Sequence, residues 1–396
     1  MLYTKPISKM KGKIKIFVAM SGGVDSSVAA LLLERATPNN FLKLFGRPTP
    51  KGFRGYDVVG VYMKGWSLTG CAEDDARDAR RVAGALNIPF YVFDFEEEYK
   101  KSVVDYMISG YASGITPNPD VMCNREIKFG LFLKKALQLG ADYVATGHYV
   151  QLTHNTQHTT HNKNKNVPCF MLRVARDLNK DQSYFLWTLT QDQLKHCLFP
   201  IGNYTKLQVR ALAKKYDLPT AEKPDSQGVC FVGEIDVAEF LKEKLGKNPG
   251  PIKTIDGKII GTHDGAIFYT IGQRKGIGIK GSLPGEQGKT YYVAAKDADT
   301  NTLWVAEGDN EKLFSKELIV KDVNWISGKQ PKLPLKCLAR IRYRQPLQNC
   351  AISSYSYDRK NVLKVVFNTP QRAITPGQSA VFYNQKKEML GGGIIV

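Results

Sequence analysis

The chain has 396 residues, 43% of them apolar and 10% aromatic, enough for two or three domains with separate cores. No run approaches the roughly 20 consecutive apolar residues of a membrane-spanning helix, so a helical integral membrane protein is excluded and a cytoplasmic one expected. A formal net charge of +19 points to a polyanionic partner, nucleic acid first, because each Lys or Arg set against a phosphate releases counterions.

The first residues, MLYTKPISKMKGK, are basic but lack Arg and an amphipathic period, so they read as a basic arm rather than a transit peptide. Next come short β-branched or aromatic runs at 14 to 20 (IKIFVAM), 58 to 63 (VVGVYM), 90 to 95 (FYVFDF) and 142 to 147 (DYVATG). Between them, 25 to 35, 72 to 87, 97 to 113 and 124 to 139 have helical spacing. This alternation predicts an α/β fold with a doubly wound, mostly parallel sheet, whose ligand sits beyond the carboxyl ends of the strands.

Residues 36 to 56, rich in Pro, Gly and basic residues, and the polar stretch 153 to 167 look inserted. The second holds His154, His158 and His161 and reads as a solvated tip. Residues 205 to 216 open with a T-x-x-Q capping box. Beyond it, β-type runs (AIFYTI, KTYYVAAKD, NTLWVAEG) and a strand-rich tail predict a first, α/β domain over 1–222, a small mixed central domain over 223–308 and a C-terminal β-barrel over 309–396. The tail carries 15 Lys or Arg against 6 Asp or Glu.

SGGVDSS, 21 to 27, lies between the first strand and the first helix. It lacks the Lys of a Walker A loop, but Gly22 and Gly23 permit successive N–H groups to face one anion. Ser26 and Ser27 add hydroxyls and the following helix its positive end, which together describe a pyrophosphate site. GIGIKG, 276 to 281, matches G-x-G-x-x-G by letter only, with no strand before it and Ser-Leu-Pro after it.

Cysteines stand at 71, 123, 169, 197, 230, 337 and 350, with no CxxC pair and no histidine at ligand spacing, against both a disulfide framework and a resident metal site. In TPNPDVMCNREIKFG (116 to 130) the prolines make an extended loop, and Asn124 is expected to begin a helix. Cys123 then sits at a helix N-terminus beside Arg125, both of which favour a thiolate. Cys230, in PDSQGVCFVGE, reads equally as a reactive thiol or a small buried residue, and it can meet Cys123 only through the fold.

Taken in order, SGGVDSS, GVYMKGW, TPNPDVMCNREIKFG, ATGHYV, KDQSYFLW, PDSQGVCFVG, YTIGQRKGIGI, RYRQ and PGQSAVFY resemble the tRNA-specific 2-thiouridylases across nearly the whole chain. SGGVDSS itself resembles the PP-loop of ATP pyrophosphatases. The resemblance implies a PP-loop domain, a central domain and a β-barrel, and an ATP-dependent replacement of the C2 oxygen of the wobble uridine by sulfur. It implies an ATP site at Ala19, Met20, Ser21, Gly22, Gly23, Val24, Asp25 and Ser26, with Met63 and Gly147, and Asp25 beside a magnesium ion. Asn118, Pro119 and Asp120 would meet the target base, and His148, Lys180, Asp181, Gln182, Arg342, Tyr343 and Gln378 would touch tRNA. Cys230 would carry a persulfide received from a donor protein, and Cys123 would release its sulfur and close a disulfide with it. A monomer is expected.

The chemistry is coherent, since adenylating the uracil oxygen makes it a good leaving group, and one cysteine must carry sulfur while another detaches it. The target base must also leave its stack, which costs least in a single-stranded anticodon loop. Arg340, Arg342 and Arg344 of ARIRYRQ are expected on one strand face, suited to phosphates. A PP-loop enzyme modifying another tRNA position and a non-catalytic RNA-binding protein are the rival readings.

Overall fold

Strand β1 (Ile14–Ala19) is buried from its second residue onward and pairs in parallel with β2 (Tyr56–Lys64) on one side and β4 (Tyr143–Ala145) on the other. The computed structural model describes residues 13–37, 55–67, 71–155, 169–225, 237–279, 289–357 and 360–396. With β3 (Phe90–Asp94) and the two-residue β7 (Cys197–Leu198), β1 forms a five-stranded parallel sheet in the order β3-β2-β1-β4-β7. Both faces are covered, which is why the strands read as near-continuous apolar runs. Ile16, Val18 and Met20 point into a core with α1 (Val24–Glu34), α2 (Cys71–Ala85) and α5 (Lys206–Lys215). Phe17 and Ala19 point the other way, into a core with Tyr99, Val103, Phe129 and Phe132.

Helices α3 and α4 are each interrupted by π-helix. In α3, Glu96–Tyr99 passes through Lys100–Val104 into Asp105–Ala112. In α4, Pro119–Met122 passes through Cys123–Phe132 into Leu133–Gln138. The helix expected from Asn124 therefore begins at Pro119. Asn118 caps it, its side-chain oxygen accepting from the Val121 N–H at 3.2 Å, and Pro119 occupies the first turn, where a missing N–H costs nothing. Helix α5 follows the sequence reading, with Thr205 and Gln208 forming a reciprocal capping box.

The antiparallel hairpin β5 (Gln151–Asn155) and β6 (Cys169–Arg173) carries the polar insertion, whose tip lies outside the described residues. Helix α6 (Val237–Leu245) leads to a four-stranded sheet of order β10-β11-β8-β9, from β8 (Gly250–Thr254), β9 (Ile259–His263), β10 (Tyr291–Asp297) and β11 (Thr302–Glu307). AIFYTI is not a strand there. Gly265, at φ 147°, turns the chain into a 3-10 turn over Ala266–Phe268 that buries Ala266 and Phe268. Residues 276 to 279 of the GIGIKG match form no helix or strand, and the rest of it lies outside the described residues.

The tail closes into a six-stranded barrel, β12-β15-β14-β13-β16-β17, from β12 (Phe314–Trp325), β13 (Leu335–Arg340), β14 (Gln348–Tyr357), β15 (Lys360–Arg372), β16 (Ser379–Tyr383) and β17 (Met389–Ile395). Closure removes exposed strand edges, and Val320, Ala339, Ile352, Val365 and Phe382 fill the interior.

Candidate active site

At the carboxyl end of β1 the chain enters α1 through Gly23, whose extended backbone (φ −94°, ψ 166°) forms the N-cap without a capping side chain. The first-turn N–H groups are thus left for an anion. Gly22 adopts φ +74°, and a Cβ there would collide with the carbonyl oxygen of Asp75. The serine hydroxyls differ from expectation. Ser26 Oγ donates to the Gly23 carbonyl at 3.1 Å and accepts from the Ser21 N–H at 3.2 Å, while Ser27 Oγ donates to the same carbonyl at 2.8 Å and accepts from Thr220. Both are buried, so they shape the loop around Gly23 rather than line an open phosphate site. Ala19, Met20 and Val24 are buried as well and can offer a ligand little beyond backbone.

The segment after β4 touches this loop and α4 in alternation. A Cβ on Gly147 would lie 2.7 Å from the Ser26 nitrogen, and the Tyr149 hydroxyl donates to Asp25 Oδ1 at 2.8 Å. Between them, the His148 ring packs 5.9 Å from the ring of Phe129 in α4, with Nδ1 2.8 Å from Thr146 Oγ1. Three consecutive residues thereby join the anion loop to the Cys123 helix. His148 is buried and held neutral, since burial, and then the nearby Lys128 ammonium, drive its pKa well below the usual value.

Asp25 also accepts from Lys206 Nζ at 2.7 Å, and that ammonium lies 2.8 Å from Asp225. Asp225 further accepts from Lys180 and Arg210, each at 2.7 Å. Burial favours its protonated form, yet the hydrogen bonds from Lys180 and Lys206 outweigh this and hold the carboxyl well below the usual range. Lys223 is bonded to Asp75 and Asp78 at 2.7 Å, tying residues 223–225 to the start of α2 and to α5.

Cys123 is the fifth residue of its helix and 7% exposed. The expectation of a depressed thiol pKa is corrected: burial pushes it up, with Asp120 adding, while Lys128 and a hydrogen bond with Tyr99 pull the other way. Arg125, expected beside it, instead pairs with Glu126 at 2.6 Å on the exposed side. Burial likewise raises the Asp120 carboxyl, again opposed by Lys128.

Residues 14–46 and 52–234 match the family model described as tRNA methyl transferase HUP domain, 238–307 the tRNA methyl transferase PRC-barrel domain and 315–395 the Aminomethyltransferase beta-barrel domain. The chain is 44% identical over 395 residues to tRNA-specific 2-thiouridylase MnmA 2 of Geobacillus kaustophilus, covering 98% of this chain and 96% of that one. It is 44% identical over 388 residues to tRNA-specific 2-thiouridylase MnmA of Streptococcus agalactiae serotype III, covering 96% and 95%. It is 43% identical over 390 residues to that of Nitrosomonas europaea, covering 97% and 98%. The chain belongs to the tRNA-specific 2-thiouridylase family.

In this thiouridylase the barrel reaches the loop before Asn118 through Gln378. Gln378 Nε2 donates to the carbonyls of Thr116 and Pro117 at 2.9 and 3.2 Å, immediately before Asn118, and the Thr116 N–H returns a bond to Pro376 at 3.0 Å. The KDQSYFLW segment is the seam between barrel and sheet. Asp181, 1% exposed, accepts from the Ala175 N–H, from Ser183 and from Arg340 at 2.8 Å. Trp187 donates to Ser379 Oγ at 2.9 Å, and Gln182 Oε1 accepts from the Tyr149 N–H at 2.9 Å.

Two expectations change accordingly. Asp181 has no surface to offer RNA, because its carboxylate is spent holding the barrel. The three arginines do not share a strand face either: β13 ends at Arg340, which is buried against Asp181, and Arg344 turns at φ 63°. Arg342 points inward to the carbonyls of Ile271 and Ala373 at 2.6 and 2.9 Å, and Tyr343 packs 4.7 Å from the ring of Phe185. Met63 is half-buried on β2. Cys230 lies outside the described residues. Lys206, Tyr149, Asp225 and Lys128 were not singled out from the sequence; Tyr149 stands inside the quoted ATGHYV, whereas Lys206 reads only as the first residue of an amphipathic helix.

Proposed function

We propose that this chain is an ATP-dependent tRNA-uridine 2-sulfurtransferase that acts on the wobble uridine. One observation carries the reading: Gly147 and Tyr149 contact the anion loop while His148, between them, packs on the helix of Cys123. This contact supports a reading in which nucleotide activation and sulfur release take place at a single seam. The N–H groups around Gly22 and Gly23 bind the ATP phosphates, and the uracil C2 oxygen attacks the α-phosphorus, expelling pyrophosphate. Asn118, Pro119 and Asp120 meet the target base. Lys180, Gln182 and Tyr343 form the tRNA-facing set, which His148, buried on Phe129, and the inward-turned Arg342 and Gln378 support from behind.

Asp25 fits a magnesium ion. It is a partly exposed carboxylate at the loop that already attracts a cation, Lys206, and such ions take one or two carboxylates and complete their shell with phosphate and water. When bound, the ion would neutralise phosphate charge.

Cys230 receives a terminal sulfur from a donor protein as a persulfide. Whether the terminal sulfur attacks C2 while still bound to Cys230 or after its release as sulfide, Cys123 Sγ bonds to Cys230 Sγ as the bond from Cys230 to the terminal sulfur breaks. That sulfur ends on C2, and AMP departs with the former uracil oxygen. An external thiol must then reduce the Cys123–Cys230 disulfide for another turnover. The test incubates protein, ATP, a sulfur donor and unmodified tRNA and reads thiouridine by mercury-affinity gel. A retarded band that needs ATP and both cysteines supports the reading; no product, or full activity of Cys230→Ala, overturns it.

A further inference from the structure

Residues 123–132 form a π-helical stretch, whose repeat is five residues rather than four, entered at Cys123, whose own N–H reaches the carbonyls of Pro119 and Asp120. In an α-helix, five residues turn the chain by about 500°, which leaves positions 123 and 128 on different faces. A five-residue repeat instead returns position 128 toward the side of Cys123, and the Lys128 charge acts on the Cys123 thiol. Gly130 marks the wide turn, since a Cβ there would lie 2.8 Å from the carbonyl oxygen of Arg125, five residues back. Asp120 lies one turn before Cys123, and His148 leans over Phe129, the neighbour of Lys128.

Three buried groups respond to this ammonium. Burial pushes Asp120 and Cys123 up and His148 down; Lys128 opposes the first two shifts and reinforces the third. Arg125, the cation nearest in sequence, is turned away to Glu126.

We propose that Lys128 is the positioning residue for a Cys123 thiolate: the π-helical turn brings its ammonium onto the Cys123 face, where a buried sulfur anion needs a countercharge to cleave the persulfide. The inference rests on the reading of Cys123 as the releasing thiol. The charge is needed because a thiolate taken from water into an apolar core is costly unless paired. The other groups facing this sulfur are Asp120, which opposes ionisation, Tyr99, which hydrogen-bonds to it, and His148, which is neutral. In the cleavage step the electron pair of the broken sulfur–sulfur bond leaves with the terminal sulfur, and Lys128 exchanges no proton.

The experiment measures iodoacetamide alkylation of Cys123 against pH in the full chain, with the labelled peptide identified by mass spectrometry. The midpoint of the profile reports ionisation, whereas access alters only its height. In Lys128→Met the midpoint should rise, lowering alkylation below it about tenfold or more at fixed pH, as expected for loss of a neighbouring opposite charge. Lys128→Arg should restore the wild-type midpoint, and Asp120→Asn should move it down. If Lys128→Met fails to fold, Lys128→Gln takes its place, with melting temperature as the control. An unchanged midpoint in the folded charge-removing variant overturns the proposal. Thiolation is scored separately, so failure of the sulfur-transfer reading leaves a shifted midpoint visible.

Discussion

The ammonium of Lys206 lies 2.7 Å from Asp25 in the Gly22–Gly23 loop and 2.8 Å from Asp225, so one side chain on α5 ties the N-terminal end of α1 to residues just before the Cys230 segment. Its side chain is only 11% exposed, which makes the pair sensitive to deletion. Lys206→Ala should lower the unfolding free energy by about 1–3 kcal/mol, because two partly buried carboxylates lose their shared donor. Urea unfolding at neutral pH measures this, and a loss below a few tenths of a kcal/mol would show that Lys180 and Arg210 carry Asp225 alone.

Gly147 permits the close approach of the 146–149 segment to the anion loop. Gly147→Ala places a methyl 2.7 Å from the Ser26 nitrogen and must displace the backbone. Overpacking of this kind costs about 1–3 kcal/mol. Nucleotide affinity measured by calorimetry should fall at least tenfold while the melting curve stays cooperative.

His148 sets a pH dependence. Its folded pKa is lowered, first by burial and then by Lys128. The unfolded chain therefore takes up the proton first as pH falls through about 6.5, and folded-state stability is present above that value and lost below it. Melting temperature should decline between pH 7 and pH 5, and His148→Asn should flatten that decline.

Arg340 and Asp181 form an ion pair buried on both sides, 6% and 1% exposed, between barrel and sheet. Removing one partner leaves the other charged and unpaired, so Arg340→Met or Asp181→Ala should cost about 3–5 kcal/mol. Calorimetric unfolding should show the barrel transition separating from that of the sheet.

Much of this was legible in the sequence. The apolar runs gave the parallel strands because a sheet covered on both faces shows no alternation, and the T-x-x-Q box located α5 because its capping bonds are local. What escaped depends on contacts distant in the chain. Cys123 lies near a helix start in sequence, but Asn118 and Pro119 begin that helix earlier, and packing buries the thiol. ARIRYRQ has the spacing of a strand face, yet the partner of Arg340 is Asp181, 159 residues away. No local pattern announces π-helix at 123–132, so the influence of the Lys128 charge on Cys123 is invisible to a reading that assumes the α-helical period.

In the proposed reaction this chain adenylates the uracil C2 oxygen before sulfur replaces it. Transcribed tRNA carrying 18O at uridine C2 tests it directly, with the AMP analysed by mass spectrometry after turnover with ATP and a sulfur donor. One 18O in AMP is expected for each thiouridine formed. Thiouridine accompanied by unlabelled AMP would contradict it.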